Sequence, residues 1–284
     1  GRLLPSMNEP MNDETLLANA KAWWRTEIIN IQPGQIVVRG YPIEQLIGQV
    51  DFVSMIWLML RGELPTPAQA GLLQAALVAS VDHGPQAPSI SIARMASTCG
   101  VGVNNAMASA INSLGDVHGG AGQQCLEVYQ HVIEAAQGDF GSAAACEAVA
   151  RALREHNHLP GFGHRFHPVD PRAEPLLQMV EASVVAGEAG GQYLAAARTV
   201  LQVLRDLKGK PIPMNIDGAT AVIFGELGFT PLLARGLFIL SRSVGILAHA
   251  TEQMAQGGRI KGPMPTSIPY TYAGVARREM SPAA

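Results

Sequence analysis

The chain has 284 residues, of which 48% are hydrophobic and only 15% charged, and its net charge is −3. It is long enough to bury one large core or two modest ones, too apolar to be disordered, and lacks the basic run of a nucleic-acid footprint. Aromatic residues make up 5% while Ala, Leu, Gly and Met abound, which favours close helix packing over a β-sandwich.

The elements follow from periodicity and punctuation. A capped helix is expected over 13–25, with Leu16, Leu17, Ala20 and a tryptophan on one side. Two β-rich runs, Ile28 to Ile31 and Ile36 to Val38, flank Pro33-Gly34. Pro then Gly fits a type II turn, so they form a hairpin. From Pro42 onward the chain reads as helical. Asp51 caps a helix that Gly62 ends, and Thr66-Pro67 starts the next, reaching Val81. Further helices fit 89–98, 103–115, 122–137, 142–155, 171–185, 191–207, 218–227 and 230–256, followed by a Pro- and Gly-rich tail.

The segment with Asn8, Glu9, Asn12, Asp13 and Glu14 lacks the charged-then-apolar pattern of a signal peptide. The apolar run 237–250 is too short to span a bilayer and contains Arg242. The expectation is a soluble cytoplasmic protein with no membrane or nucleic-acid partner. Cys99, Cys125 and Cys146 are widely spaced among small or apolar residues and read as buried free thiols, with no disulfide or metal site.

The chemistry sits in the breaks between helices. Gly115-Asp116-Val117-His118-Gly119-Gly120 and Leu159-Pro160-Gly161-Phe162-Gly163-His164 each set a histidine beside glycines, and Asn215-Ile216-Asp217-Gly218 offers a carboxylate. Two imidazoles and a carboxylate can polarise a carbonyl and move a proton on carbon if the fold unites them. Arg242 stands inside an apolar helix, where it needs either a structural Asp or Glu partner or an anionic ligand. Local sequence also allows Asp217 to be only a helix N-cap and His118 only a helix C-terminal residue facing the dipole.

Taken with Asp82-His83-Gly84-Pro85, Asp170-Pro171-Arg172 and Ser241-Arg242-Ser243-Val244-Gly245, these segments resemble, in order, the citrate synthase and citryl-CoA lyase superfamily. The closest likeness is to stand-alone citryl-CoA lyases and the citrate-synthase-like carboxy-terminal module of ATP-citrate lyase. The resemblance implies a mostly α, two-domain helical fold with a small N-terminal β-hairpin. Its large domain would comprise 1–120 and 228–284 and its small domain 121–227.

The resemblance further implies that Asp217 exchanges a proton with the acetyl-CoA methyl carbon. His118 would hold the thioester enol(ate), and His164 the ketone of oxaloacetate or the tertiary hydroxyl of the citryl group. His83, Arg172 and Arg242 would bind carboxylates, while Leu159, Pro160, Gly161, Phe162 and Gly163 would cradle the adenine end of coenzyme A. A third carboxylate-binding arginine of many relatives has no secure match, leaving Arg259 or Lys261 as substitutes. A citramalyl thioester is then a conceivable substrate.

The implied activity is metal-free cleavage of citryl-CoA to acetyl-CoA and oxaloacetate by a homodimer or higher homo-oligomer. A citrate or 2-methylcitrate synthase and a non-catalytic CoA-binding subunit of a larger complex stand as alternatives. His131, His156, His158, His167 and His249 have no motif and read as surface or packing residues.

Overall fold

The structure is a computed structural model that describes residues 12–163 and 168–282. The fold is mostly helical, with twelve helices and one three-stranded sheet among the described residues. By its internal contacts the chain divides into Gly1–Gly71 and Leu72–Ala284.

In the first unit, helix α1 (Asp13–Ala22) is capped by Asn12, whose side chain accepts from the Thr15 N–H, and not by Asp13. It ends before Arg25 and buries nothing; Leu16 and Leu17 are about half exposed and Trp23 and Trp24 more so. The hairpin is β1 (Ile29–Gln32) and β2 (Gln35–Val38), with Gly34 at φ +73 closing the turn. A third strand, β3 (Tyr41–Pro42), extends it to an antiparallel β1-β2-β3 meander; two residues are too few to show alternation in sequence. Val38, Leu46 of the short helix α2 (Ile43–Leu46) and Leu58 of α3 (Phe52–Arg61) form the core of this unit. Asp51 caps α3, and Gly62 ends it at φ +85.

Helix α4 (Pro67–Ser80) opens with a reciprocal capping box. The Gln69 N–H donates to Thr66 Oγ1, and the Thr66 N–H donates to Gln69 Oε1. There follow α5 (Pro88–Ala96), α6 (Val103–Asn112), α7 (Ala121–Ala136), α8 (Ala143–His156), α9 (Ala173–Val185), α10 (Gln192–Lys208), α11 (Ile216–Glu226) and α12 (Pro231–Gln256). Helix α6 stops short of Gly115 because the chain turns back there, with the Gly115 N–H donating to the His118 carbonyl.

Two helices organise the second unit. Helix α11 is apolar on every side, is buried from Gly218 to Gly225, and packs against α7, α9 and α10. Helix α12 has the length and apolarity of a membrane span, yet it packs against α5, α6 and α7, and its Ile246 and Ala250 share a core with α5 and α6. All three cysteines are unpaired, but only Cys125 is buried; Cys99 is exposed and Cys146 intermediate. Cys99 lies in the turn after α5, and Cys146 lies in the first turn of α8.

Candidate active site

Three loop-to-helix junctions of the second unit converge on one cavity of about 620 Å³. The first is the end of α4 against α12. Arg242 is 5% exposed, its Nε donates to the Ser80 carbonyl, and its guanidinium lies 5.0 Å from the centre of the Phe238 ring. Among the described residues no carboxylate forms an ion pair with it. Burial pushes its pKa down, with only the more distant charges of Asp82 and Asp217 opposing. The structural ion pair that would have made Arg242 a packing residue is therefore not formed, and a buried cation faces the cavity.

The second junction is the His118 turn. Gly119 sits at φ +96, and a side chain on Gly120 would press on the Asp116 backbone and the Arg235 guanidinium. These glycines let the turn close. Arg235 clamps it through Asp116 at 2.5 Å. His118 Nε2 receives the Ser89 N–H at 3.1 Å, and Ser89 Oγ lies 2.9 Å away. A backbone amide can only donate, so Nε2 accepts and the neutral ring carries its proton on Nδ1. Burial, and then the charge of Arg242, lower the His118 pKa. The imidazole is thus neutral, and Nδ1–H is its remaining donor.

The third junction joins the 159–163 loop, Asp170 and the start of α11. Asn215 caps α11 with Oδ1 accepting from the Asp217 and Gly218 N–H groups, while its Nδ2 donates to the Gly163 carbonyl. Asp217 is thereby released from the capping role. Burial raises its pKa, although Arg172 and Arg242 pull it down. Asp170 is 1% exposed; it accepts Nε and Nη2 of Arg172, each at 2.9 Å, and the Ile216 N–H. Those bonds fix the guanidinium and hold the Asp170 pKa at about 2 against the opposing effect of burial.

The cavity is lined by His83, His118, Arg172, Asp217 and Arg242, so five of the residues singled out in sequence are brought together. His164 lies outside the described residues, as does His167. Leu159, Pro160, Gly161 and Phe162 are buried beside the cavity rather than lining it. A Cβ on Gly161 would stand 2.6 Å from Cys125 Sγ and 2.8 Å from Gly218 Cα. That glycine serves the contact of loop and helix. Lys261 bonds Gln253 and Thr98 and borders a separate cavity of about 200 Å³ with Arg94. Arg259 is exposed.

Ser89 and Asn215 act on the site without having been assigned a role, and Asp170 stood only as a motif member. The Asp-x-Arg spacing was the one local signal for Asp170. Ser89 has none, since its partner is 29 residues away.

With this geometry in place, the comparisons converge. Residues 66–264 match the model of the citrate synthase C-terminal domain, and the chain belongs to that family. The citrate synthase of Haloferax volcanii is 32% identical over 216 residues, which cover 75% of this chain and 53% of that one. The citrate synthase of Acidithiobacillus ferridurans is 29% identical over 230 residues, 80% and 56% of the two. The chain thus spans little more than half the length of these relatives. The citryl-CoA lyase of Hydrogenobacter thermophilus superposes with a TM-score of 0.79 at 29% identity, covering 91% of this chain and 97% of that one. The ATP citrate lyase of Methanothrix soehngenii, in complex with citrate and coenzyme A, shares the fold at a TM-score of 0.75 and 21% identity.

Proposed function

We propose that the protein is a citryl-CoA lyase-type enzyme that cleaves citryl-CoA to acetyl-CoA and oxaloacetate by acid–base chemistry, with coenzyme A entering only as the thioester. The observation that carries this reading is one cavity holding a carboxyl group of raised pKa, a neutral imidazole and two anchored guanidinium groups. The near-complete overlap with a stand-alone citryl-CoA lyase supports cleavage as the direction.

Arg172 and Arg242, helped by His83, bind the carboxylates and fix the citryl group in one orientation. His164, by the family resemblance, takes the proton of the tertiary hydroxyl as the carbon–carbon bond breaks. The electron pair passes to the thioester side, and His118 Nδ1–H donates to the developing enolate oxygen. Such a donor at a preorganised site contributes roughly 2.7–4 kcal/mol. Asp217, whose burial favours the protonated form, delivers a proton to the methylene carbon and gives acetyl-CoA. Turnover leaves Asp217 ionised and His164 protonated, and proton exchange restores both.

Incubation of the purified protein with citryl-CoA, with oxaloacetate followed by coupled reduction, tests the proposal. Wild type is expected to release oxaloacetate, and Asp217→Asn to be at least about 100-fold slower. The names of the sequence relatives favour a second reading, a citrate synthase; citrate plus free coenzyme A would be its products. Thioester binding without either reaction would point to a non-catalytic subunit.

A further inference from the structure

Residues 242, 245 and 249 lie on one face of α12, three and then four apart. At the middle position Gly245 has no side chain, and the Val81 carbonyl and the Asp82 side chain fill that space. A Cβ there would overlap the Val81 carbonyl and stand 3.1 Å from both Cβ and Oδ1 of Asp82. Asp82 is therefore lodged on α12 between a guanidinium one turn before it and an imidazole one turn after it.

The imidazole is held from both sides. His249 Nε2 is 2.9 Å from Asp82 Oδ2, and its Nδ1 is 2.8 Å from Arg94 Nη1. Arginine only donates, so Nδ1 accepts and Nε2–H donates to the carboxylate. Arg94 is itself fixed, giving Nη1 to Glu252 and Nη2 to Gln256, each at 2.9 Å. His249 and Arg94 are largely buried, with side chains 16% and 14% exposed.

We propose that His249, which no motif distinguishes, is a positioning residue for the acid-binding half of the cavity. As a neutral bridge from Arg94 it seats Asp82 on Gly245, and through Asp82 it sets both the field around Arg242 and the turn that presents His83. Asp82 supplies the largest opposing charge to the burial of Arg242, and its Oδ1 is buried without a hydrogen bond of its own. An unbridged Asp82 would turn toward water, leaving the Arg242 cation uncompensated and the His83 turn unanchored. Helix α5 then carries both supports of the site, Ser89 for His118 at its start and Arg94 for His249 near its end.

The kinetic part of this inference rests on the reading above. His249→Leu removes donor and acceptor together, whereas His249→Gln keeps one of each. The Leu variant is expected to raise KM for citryl-CoA about tenfold or more with kcat within about threefold of wild type, and the Gln variant to recover most of that loss. A Leu variant with KM within about twofold of wild type overturns the proposal, and so does a loss confined to kcat. Should the Leu variant fail to fold, Asp82→Asn, whose amide oxygen still accepts from His249 but which carries no charge toward Arg242, is expected to show the same KM effect.

If wild type turns over no acyl-CoA, the proposed function fails, and a second measurement decides this inference alone. In ¹⁵N-labelled protein His249 is expected as the Nε2–H tautomer, and the Arg242 Nε–H is expected to exchange with water faster in His249→Leu than in wild type. An unchanged exchange rate, or the other tautomer, overturns it.

Discussion

Asp170 does three things with two oxygen atoms: it binds Arg172 bidentately, accepts the Ile216 N–H, and so ties a substrate-facing cation to the first turn of α11. Removing the charge strands a largely buried guanidinium, so Asp170→Asn is expected to destabilise the fold by roughly 3–5 kcal/mol in chemical denaturation. The native pKa of about 2 lies below the ordinary 3.8. Its ionised form therefore stabilises the fold fully above pH 3.8 and loses that contribution as pH falls toward 2. Wild type should shed about 2 kcal/mol across that window, and the Asn variant should lack this component. Asp217 has the opposite sign. Its raised pKa means that ionisation opposes folding, so Asp217→Asn is expected to raise Tm at neutral pH while removing turnover. Calorimetry beside the activity assay separates the two effects.

Most helix ends were legible because their determinants are local. Asp51, Ser142 and Thr230 cap α3, α8 and α12 within three residues of themselves, and Gly62 ends α3 in the left-handed conformation. Helix α11 begins two residues earlier than the sequence indicates, because Asn215 takes the cap and leaves Asp217 to the cavity. The same limit applies to the site. His118, Asp217 and Arg242 stand out in short motifs, whereas Ser89, Asp170 and His249 act through partners 29, 46 and 167 residues away. Sequence spacing carries no information on such pairs until the helices are docked. A close approach of two backbones is equally invisible: Gly161 of the loop meets Gly218 of α11, and Cys125 Sγ closes the remaining space. Gly161→Ala must fit a Cβ there at φ +90. It is expected to destabilise the protein by about 1–3 kcal/mol, read by urea unfolding.

At the scale of the molecule, α12 turns one face inward with Arg242, Gly245, Ile246 and Ala250, while Leu240, Val244, Leu247 and Met254 stay between 39% and 59% exposed along the other. A stripe of that length is expected to be covered, and we propose that a second copy of the chain covers it, as the family resemblance implies. Leu240→Glu combined with Val244→Glu should shift the sedimentation coefficient to that of a single chain; an unchanged value would place the contact elsewhere.

The three thiols also differ in a way that can be read as time. Cys99 is exposed, whereas Cys125 lies beneath Gly161 with its pKa raised by burial, so a thiol reagent can meet it only when the 159–163 loop lifts from α11. The slow phase of labelling is then a clock for that lifting. Because the loop hydrogen-bonds to Asn215, two residues before Asp217, a ligand bound in the cavity should slow the clock while leaving the fast phase of Cys99 untouched.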